Sequence, residues 1–176
     1  NSARSGGGLH CVGGAHPSLS NVVFVGNQAE YGGGMYCFES SPTLTNTTFS
    51  ENSADAGGGI YCSHWATPTI SKSIIAFSTT GPAIECFGRG VPNVSQSIIF
   101  GNEDGNTICS DLGDNLIRDP RFCDLYSGDL TLCSNSPCLP ENNTWDVLVG
   151  AFPSGCGSCD APVEHLTWGT LKALFR

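Results

Sequence analysis

Positive charge is scarce in this chain: seven Lys and Arg stand against sixteen Asp and Glu over 176 residues, a formal net charge of −9. That balance excludes a surface that binds nucleic acid through phosphate contacts, and attachment to an anionic lipid surface. No apolar run approaches the roughly 18 residues of a membrane-spanning helix. Neither an initiator Met nor a signal sequence opens the chain, and the expectation is a mature, processed or trimmed protein. Histidine is thin and scattered, at His10, His16, His64 and His165. The single Cys156-x-x-Cys159 spacing has no second CxxC beside it and only His165 nearby, so no metal site is assigned. Clustered catalytic groups are missing too. Glu30, Glu39, Glu51, Asp55 and Glu85 fall at different offsets, and the basic candidates Arg4, Lys72, Arg89, Arg118 and Arg121 form no matching group. A hydrolase needs paired carboxylates at a defined separation. The reading is therefore of a protein that is not an enzyme and has no catalytic or cofactor-binding residues.

Glycine and cysteine are abundant, at 23 and 10 residues, and they recur in time. SGGGLHC at Ser5–Cys11, YGGGMYC at Tyr31–Cys37 and AGGGIYC at Ala56–Cys62 place their first glycines at 6, 32 and 57. The cysteines carry the period on after the glycines fade, through Cys11, Cys37, Cys62, Cys86 and Cys109. A second block keeps step: PSLSNVVF from Pro17, PTLTNTTF from Pro42, PTISKSII from Pro68 and PNVSQSII from Pro92. A unit of about 25 residues with short alternating runs and Gly, Asn, Ser and Pro punctuation cannot close a core alone and must stack on its neighbours.

Stacking aligns equivalent residues into ladders roughly 4.8 Å apart. Alternation places Leu9, Met35, Ile60 and Ile84 in one inward ladder, Leu19, Leu44, Ile70 and Val94 in a second, and Phe24, Phe49, Ile75 and Ile99 in a third. The cysteines are a repeated core position, and the glycines let the backbone turn into each strand. Asn27, Asn52 and Asn102 are expected in left-handed turns with their amides stacked. Ser and Thr of LTNTTF and ISKSII are expected outward. The fold class is all-β: a solenoid, a right-handed parallel β-helix of about 25-residue coils with a disulfide-stapled C-terminal closing segment and a short tail. Residues 1–157 form the helix, including a closing segment at 119–157, and 158–176 form a linker and apolar tail.

GGGxYC followed by SPTLTNTTFSENSA resembles the degenerate repeats of secreted bacterial right-handed β-helix proteins of the pectin-lyase-like superfold. FxxN at Phe24–Asn27 and Phe49–Asn52, with the GGxhh element, is more distantly similar to chlamydial polymorphic outer-membrane proteins. DPRFCDLYSGDLTLCSNSPCLPENN, residues 119–143, resembles the closing segment of many such bacterial proteins. That resemblance implies a D-P-x-F strand, a G-D-x-x-L strand, an S-P-C turn and a last strand at Val149–Phe152.

Ten cysteines favour an oxidising exterior, and a secreted, extracellular or cell-surface location. Ladder neighbours are close enough to pair, yet inward cysteines also serve as small buried hydrophobes. With five in the ladder, at least one stays free or pairs outside it. Bridges are expected among Cys123, Cys133, Cys138, Cys156 and Cys159, stapling an end with few ladder contacts. Asp111, Asp114 and Asn115, with Asp104 and Asn106 near, suit either a calcium site or ordinary Asx turns. Asn46, Asn93 and Asn142 open N-x-S/T sequons. Tyr36 and Tyr61 are expected to stack outward with His10 in line, beside His64 and Trp65, as a strip able to hold a glycan or a protein.

The chain enters a repeat at once, without a capping helix, and ends in a tail carrying Leu166, Trp168, Leu171, Leu174 and Phe175. An uncovered coil and an apolar tail are what head-to-tail self-association uses. The functional expectation is an extracellular structural or adhesive β-helix that assembles end to end into filaments. The competing expectation is a polysaccharide-binding or lyase-like module.

Overall fold

The computed structural model describes residues 1–110 and 113–159. The chain winds as a parallel β-helix, each full coil giving one strand to each of four sheets. The first coil holds β1 (Ser2–Ser5), β2 (Leu9–Val12), β3 (Ser18–Ser20) and β4 (Val23–Val25). The second holds β5 (Gln28–Tyr31), β6 (Met35–Phe38), β7 (Thr43–Thr45) and β8 (Thr48–Ser50). The third holds β9 (Ser53–Ala56), β10 (Ile60–Ser63), β11 (Thr69–Ser71) and β12 (Ile74–Ala76). In the fourth, a lone parallel bridge from Thr80 to Ser53 replaces the first strand, and β13 (Ile84–Phe87), β14 (Asn93–Ser95) and β15 (Ile98–Phe100) follow.

Register between coils matches the three ladders read from the repeat. Leu9, Met35, Ile60 and Ile84 are successive partners, as are Leu19, Leu44, Ile70 and Val94, and Phe24, Phe49, Ile75 and Ile99. All three ladders contribute to one apolar core. The Phe24 and Phe49 rings stack at 4.7 Å between centroids. Each glycine of a triplet has its own reason. Gly32 turns at φ +65°, which a side chain disfavours. A Cβ on Gly33 would sit 2.5 Å from the Gly58 carbonyl oxygen of the next coil, and one on Gly34 would sit 2.6 Å from the Phe49 ring. The GGG and FxxN elements are thus two halves of one contact.

Two expectations about the turns are corrected. The left-handed residue precedes the asparagine: Gly26, Glu51 and Gly101 have positive φ, while Asn27, Asn52 and Asn102 point inward and are buried. The amides do stack. Asn52 Nδ2 donates to the Phe24 carbonyl at 2.8 Å, its Oδ1 accepts from the Asn27 N–H at 3.0 Å, and Asn27 Nδ2 donates to the same oxygen at 3.0 Å. Asn102 repeats the pattern on the Ile75 carbonyl and the Ser78 N–H. Likewise Thr47 and Ser73, expected outward, are fully buried, as is the equivalent Ser97 of the next coil. Ser73 Oγ accepts the Thr47 N–H and Ser97 Oγ the Ser73 N–H, completing backbone bonds the corner would leave unmade.

The closing segment comprises β16 (Phe122–Asp124), β17 (Asp129–Cys133) and β18 (Ser154–Cys156), with β16 antiparallel and β18 parallel to β17. The last strand is therefore Ser154–Cys156 and not Val149–Phe152. Nor does the segment simply prolong the stack. It folds back along the side of the solenoid, where Phe122, Leu130, Leu132, Leu139 and Val149 cover the outward Ile74, Ala76 and Ile98. Gly150 N–H donates to the Lys72 carbonyl at 2.8 Å, and Asn46 Nδ2 donates to the Leu148 carbonyl at 2.6 Å. The reason lies in the paired isoleucines: Ile74–Ile75 and Ile98–Ile99 are apolar on both faces, so the outer face needs a cover.

Candidate interaction surface

Strand β10 and its neighbours carry the expected aromatic strip. Tyr36 and Tyr61 lie parallel, 5.6 Å between centroids, and His10 continues the row 5.1 Å from Tyr36. Tyr61 is only 8% exposed, however, because Tyr31 meets it edge-on at 5.4 Å. The strip is thus half sunk rather than outward along its whole length.

A more exposed row runs along the adjacent corner. The residues after the four strand-borne ladder cysteines, Cys11, Cys37, Cys62 and Cys86, are Val12, Phe38, Ser63 and Phe87, and these are register partners. Phe38 packs against His64 at 4.5 Å, and His64 reaches Phe87 at 6.0 Å. Trp65, 63% exposed, lies under the Arg89 guanidinium at 4.5 Å. His64 and Trp65 both have left-handed backbone, at φ 49° and 65°, in a turn closed by the Ala66 N–H on the Ser63 carbonyl. The same turn in the first coil uses Gly13 and Gly14. Left-handed backbone costs a side-chain-bearing residue about 1–2 kcal/mol, so this corner carries its aromatic and imidazole at a cost to stability. Such strain is commonest at functional positions. Sequence reasoning picked out His64 and Trp65 and named Arg89 only as a dispersed basic residue, and it missed Phe38 and Phe87. The signal was their fixed offset from the cysteine.

The other candidates are dispersed. Asn46 and Asn142 each spend their amide nitrogen on backbone carbonyls, whereas Asn93 is exposed on β14. Asp104 accepts the Gly81 N–H, Asp114 the Gln96 N–H and Asn115 the Ser97 N–H, so each Asx residue caps a neighbouring coil. Glu30 is paired with Arg4 at 3.5 Å, and Glu85 accepts the Gly57 N–H. Asp111 and the tail residues Leu166, Trp168, Leu171, Leu174 and Phe175 lie outside the described residues.

Three disulfides are present: Cys86–Cys109, Cys123–Cys156 and Cys133–Cys159. Cys11, Cys37 and Cys62 remain free and buried. In-register strands roughly 4.8 Å apart point equivalent side chains the same way, which holds the Cβ atoms farther apart than a bridge prefers. Cys109 escapes that constraint outside any strand, with φ +62°. Hydrogen bonding to Cys37, then burial, raises the Cys11 thiol pKa. Cys138, expected to bridge, is instead a buried thiol, pushed up to about 12 chiefly by desolvation.

Residues 46–63 match the Chlamydia polymorphic membrane protein (Chlamydia_PMP) repeat. The matched stretch runs through Phe49–Asn52 and Gly57–Gly59, one copy of each of the two repeat elements. With the parallel solenoid, it makes the chain a β-helix repeat protein resembling polymorphic membrane protein repeats. No curated protein and no solved structure matches the chain. Among the described residues no helix is long and apolar enough to cross a membrane. The disulfides suit an oxidising, extracellular setting.

Proposed function

We propose that the protein is an extracellular, bacterial surface element with a structural and adhesive role and no catalytic activity, using the Phe38–His64–Trp65–Phe87 corner as its contact surface. One observation carries this reading: on an in-register scaffold, a strained turn holds Trp65 63% exposed, and Phe87, at the end of β13 on the next coil, is 61% exposed. Exposed aromatics rimmed by polar groups are favoured at recognition surfaces. The dispersed acids support a non-catalytic role, since Glu30 and Glu85 are engaged in separate structural contacts.

Retention of the purified protein on immobilised bacterial envelopes and on a panel of neutral and acidic polysaccharides tests the proposal. Trp65→Ala combined with Phe87→Ala is expected to abolish retention with an unchanged far-UV spectrum, and no polysaccharide is expected to yield new reducing or unsaturated ends. Retention that survives the double substitution removes the corner from the reading, and product release overturns the non-catalytic role. End-to-end association belongs to the same reading, because parallel in-register coils offer the bonds by which another coil would add. Sedimentation across a dilution series checks it: species growing with concentration support it, and a constant monomer rejects it.

A further inference from the structure

Four cysteines meet where the closing segment ends. Cys123 is on β16, Cys133 ends β17, Cys156 ends β18, and Cys159 follows three residues later. The Cys123, Cys133 and Cys156 sulfurs lie within 4.8 Å of one another, and Cys159 is bonded to Cys133. Backbone, and not only sulfur, brings them together. Cys133 pairs with Cys156 across β17 and β18, the Cys133 N–H donates to the Arg121 carbonyl at 2.9 Å, and the Ser134 N–H donates to the Gly157 carbonyl at 3.1 Å. The Asn135 side chain holds Cys159 from both sides, donating to its carbonyl at 3.0 Å and accepting its N–H at 3.2 Å.

We propose that these four cysteines form a tetrathiolate zinc site in the reduced chain, so that a metal closes this end before oxidation and two disulfides close it afterwards. Tetrahedral zinc at roughly 2.3 Å from each sulfur separates the sulfurs by about 3.8 Å, a spacing the cluster already spans. Cys156-x-x-Cys159 supplies one arm at the usual two-residue spacing, and the β16–β17 hairpin supplies the other. The site needs cations to balance four thiolates around one divalent ion. Arg118 and Arg121, two of the seven Lys and Arg in a strongly acidic chain, line a cleft at this end with Asn135 and one carboxylate, Asp119, so its lining carries a net positive charge. Binding takes up one Zn²⁺ and releases the protons of the four thiols. On oxidation, two molecules of a small disulfide each accept two electrons and leave as two thiolates. The four protein thiolates become the Cys123–Cys156 and Cys133–Cys159 bonds, and Zn²⁺ is freed.

The test uses the full chain reduced with a dithiol, freed of reductant without air, and titrated first with Co²⁺ and then with Zn²⁺. The expected result is one Co²⁺ per chain, with thiolate charge-transfer and intense tetrahedral d–d bands, displaced by one Zn²⁺. Cys86→Ser with Cys109→Ser should leave this intact, and Cys123→Ser with Cys156→Ser should abolish it. Cys159→Ser alone, which leaves three thiolates and a water in the fourth position, should bind Co²⁺ more weakly, with reduced thiolate charge transfer and shifted d–d bands. Absence of a saturable one-to-one complex, or one that survives the Cys123 and Cys156 substitutions, overturns the proposal. Far-UV circular dichroism is recorded throughout, and a reduced chain that loses its strand signal and does not regain it with zinc overturns it as well.

Discussion

At the scale of single residues, the repeat is held by groups that reach from one coil to the next. Asn52 is the clearest: one amide satisfies the Phe24 carbonyl and the Asn27 N–H, both buried. Leaving a buried polar group unsatisfied costs about 1–3 kcal/mol, and Asn52→Ala is expected to lower stability by at least that much in urea unfolding. Asn52→Asp should fare no better, since a carboxylate cannot donate to the Phe24 carbonyl. Gly34 provides a steric counterpart. Gly34→Ala forces Phe49 or the backbone to shift and should cost about 1–3 kcal/mol. Gly26→Asn, at φ +61° with open space around it, should be nearly neutral in the same measurement. The buried thiols add a pH dependence. The Cys138 pKa is about 12 in the fold against 9.0 ordinarily, so the unfolded chain loses its proton first as pH rises. Stability from this thiol is full below about pH 9 and falls toward pH 12, by up to about 1.4 kcal/mol per pH unit. Cys11 and Cys37 are also raised and act in the same direction. Unfolding measured from pH 8 to 11 should show the decline, and Cys138→Ala should make it shallower, leaving the part due to Cys11 and Cys37.

At the scale of elements, the closing segment is a side cover. Its longest-range tie is Asn46, whose amide reaches Leu148 and Gly150 across 102 and 104 residues of chain. Asn46→Ala removes those bonds and leaves the coil turn at φ +51° to a residue that disfavours it. The expected outcome is faster proteolysis in residues 139–153, with the coils themselves still protected. Uniform loss of protection would mean instead that cover and solenoid unfold as one unit.

At the scale of the whole molecule, nearly all pairing between coils joins residues about 25 positions apart, so each coil is stabilised by its neighbours and none stands alone. Rigidity of this kind suits a surface element, because aromatic groups set on successive coils keep their spacing without a ligand. The same regularity means that a change at one ladder position is felt by the coils on either side. Phe49→Ala, between Phe24 and Ile75, should cost about 3–5 kcal/mol, a loss read as a lower midpoint in thermal unfolding.

By itself the sequence determined the period, the parallel solenoid, the three inward ladders and the cysteine column. A repeat of about 25 residues leaves alternation and stacking only one consistent register. It also held the glycine triplets and FxxN, although not their meeting at Gly34 and Phe49. Tertiary structure alone decided which way the asparagines and the Thr47–Ser73–Ser97 hydroxyls turn, because an Asn or Ser at a corner suits a left-handed turn or an inward amide equally until neighbouring backbone groups need partners. It also decided the disulfide pattern, the sinking of Tyr61 and the exposed corner around Trp65. Cysteines, tyrosines and aromatics are shared by several repeat offsets, and only the packing of one coil on the next, with a closing segment laid across Ile74 and Ile98, settles which are covered and which face water.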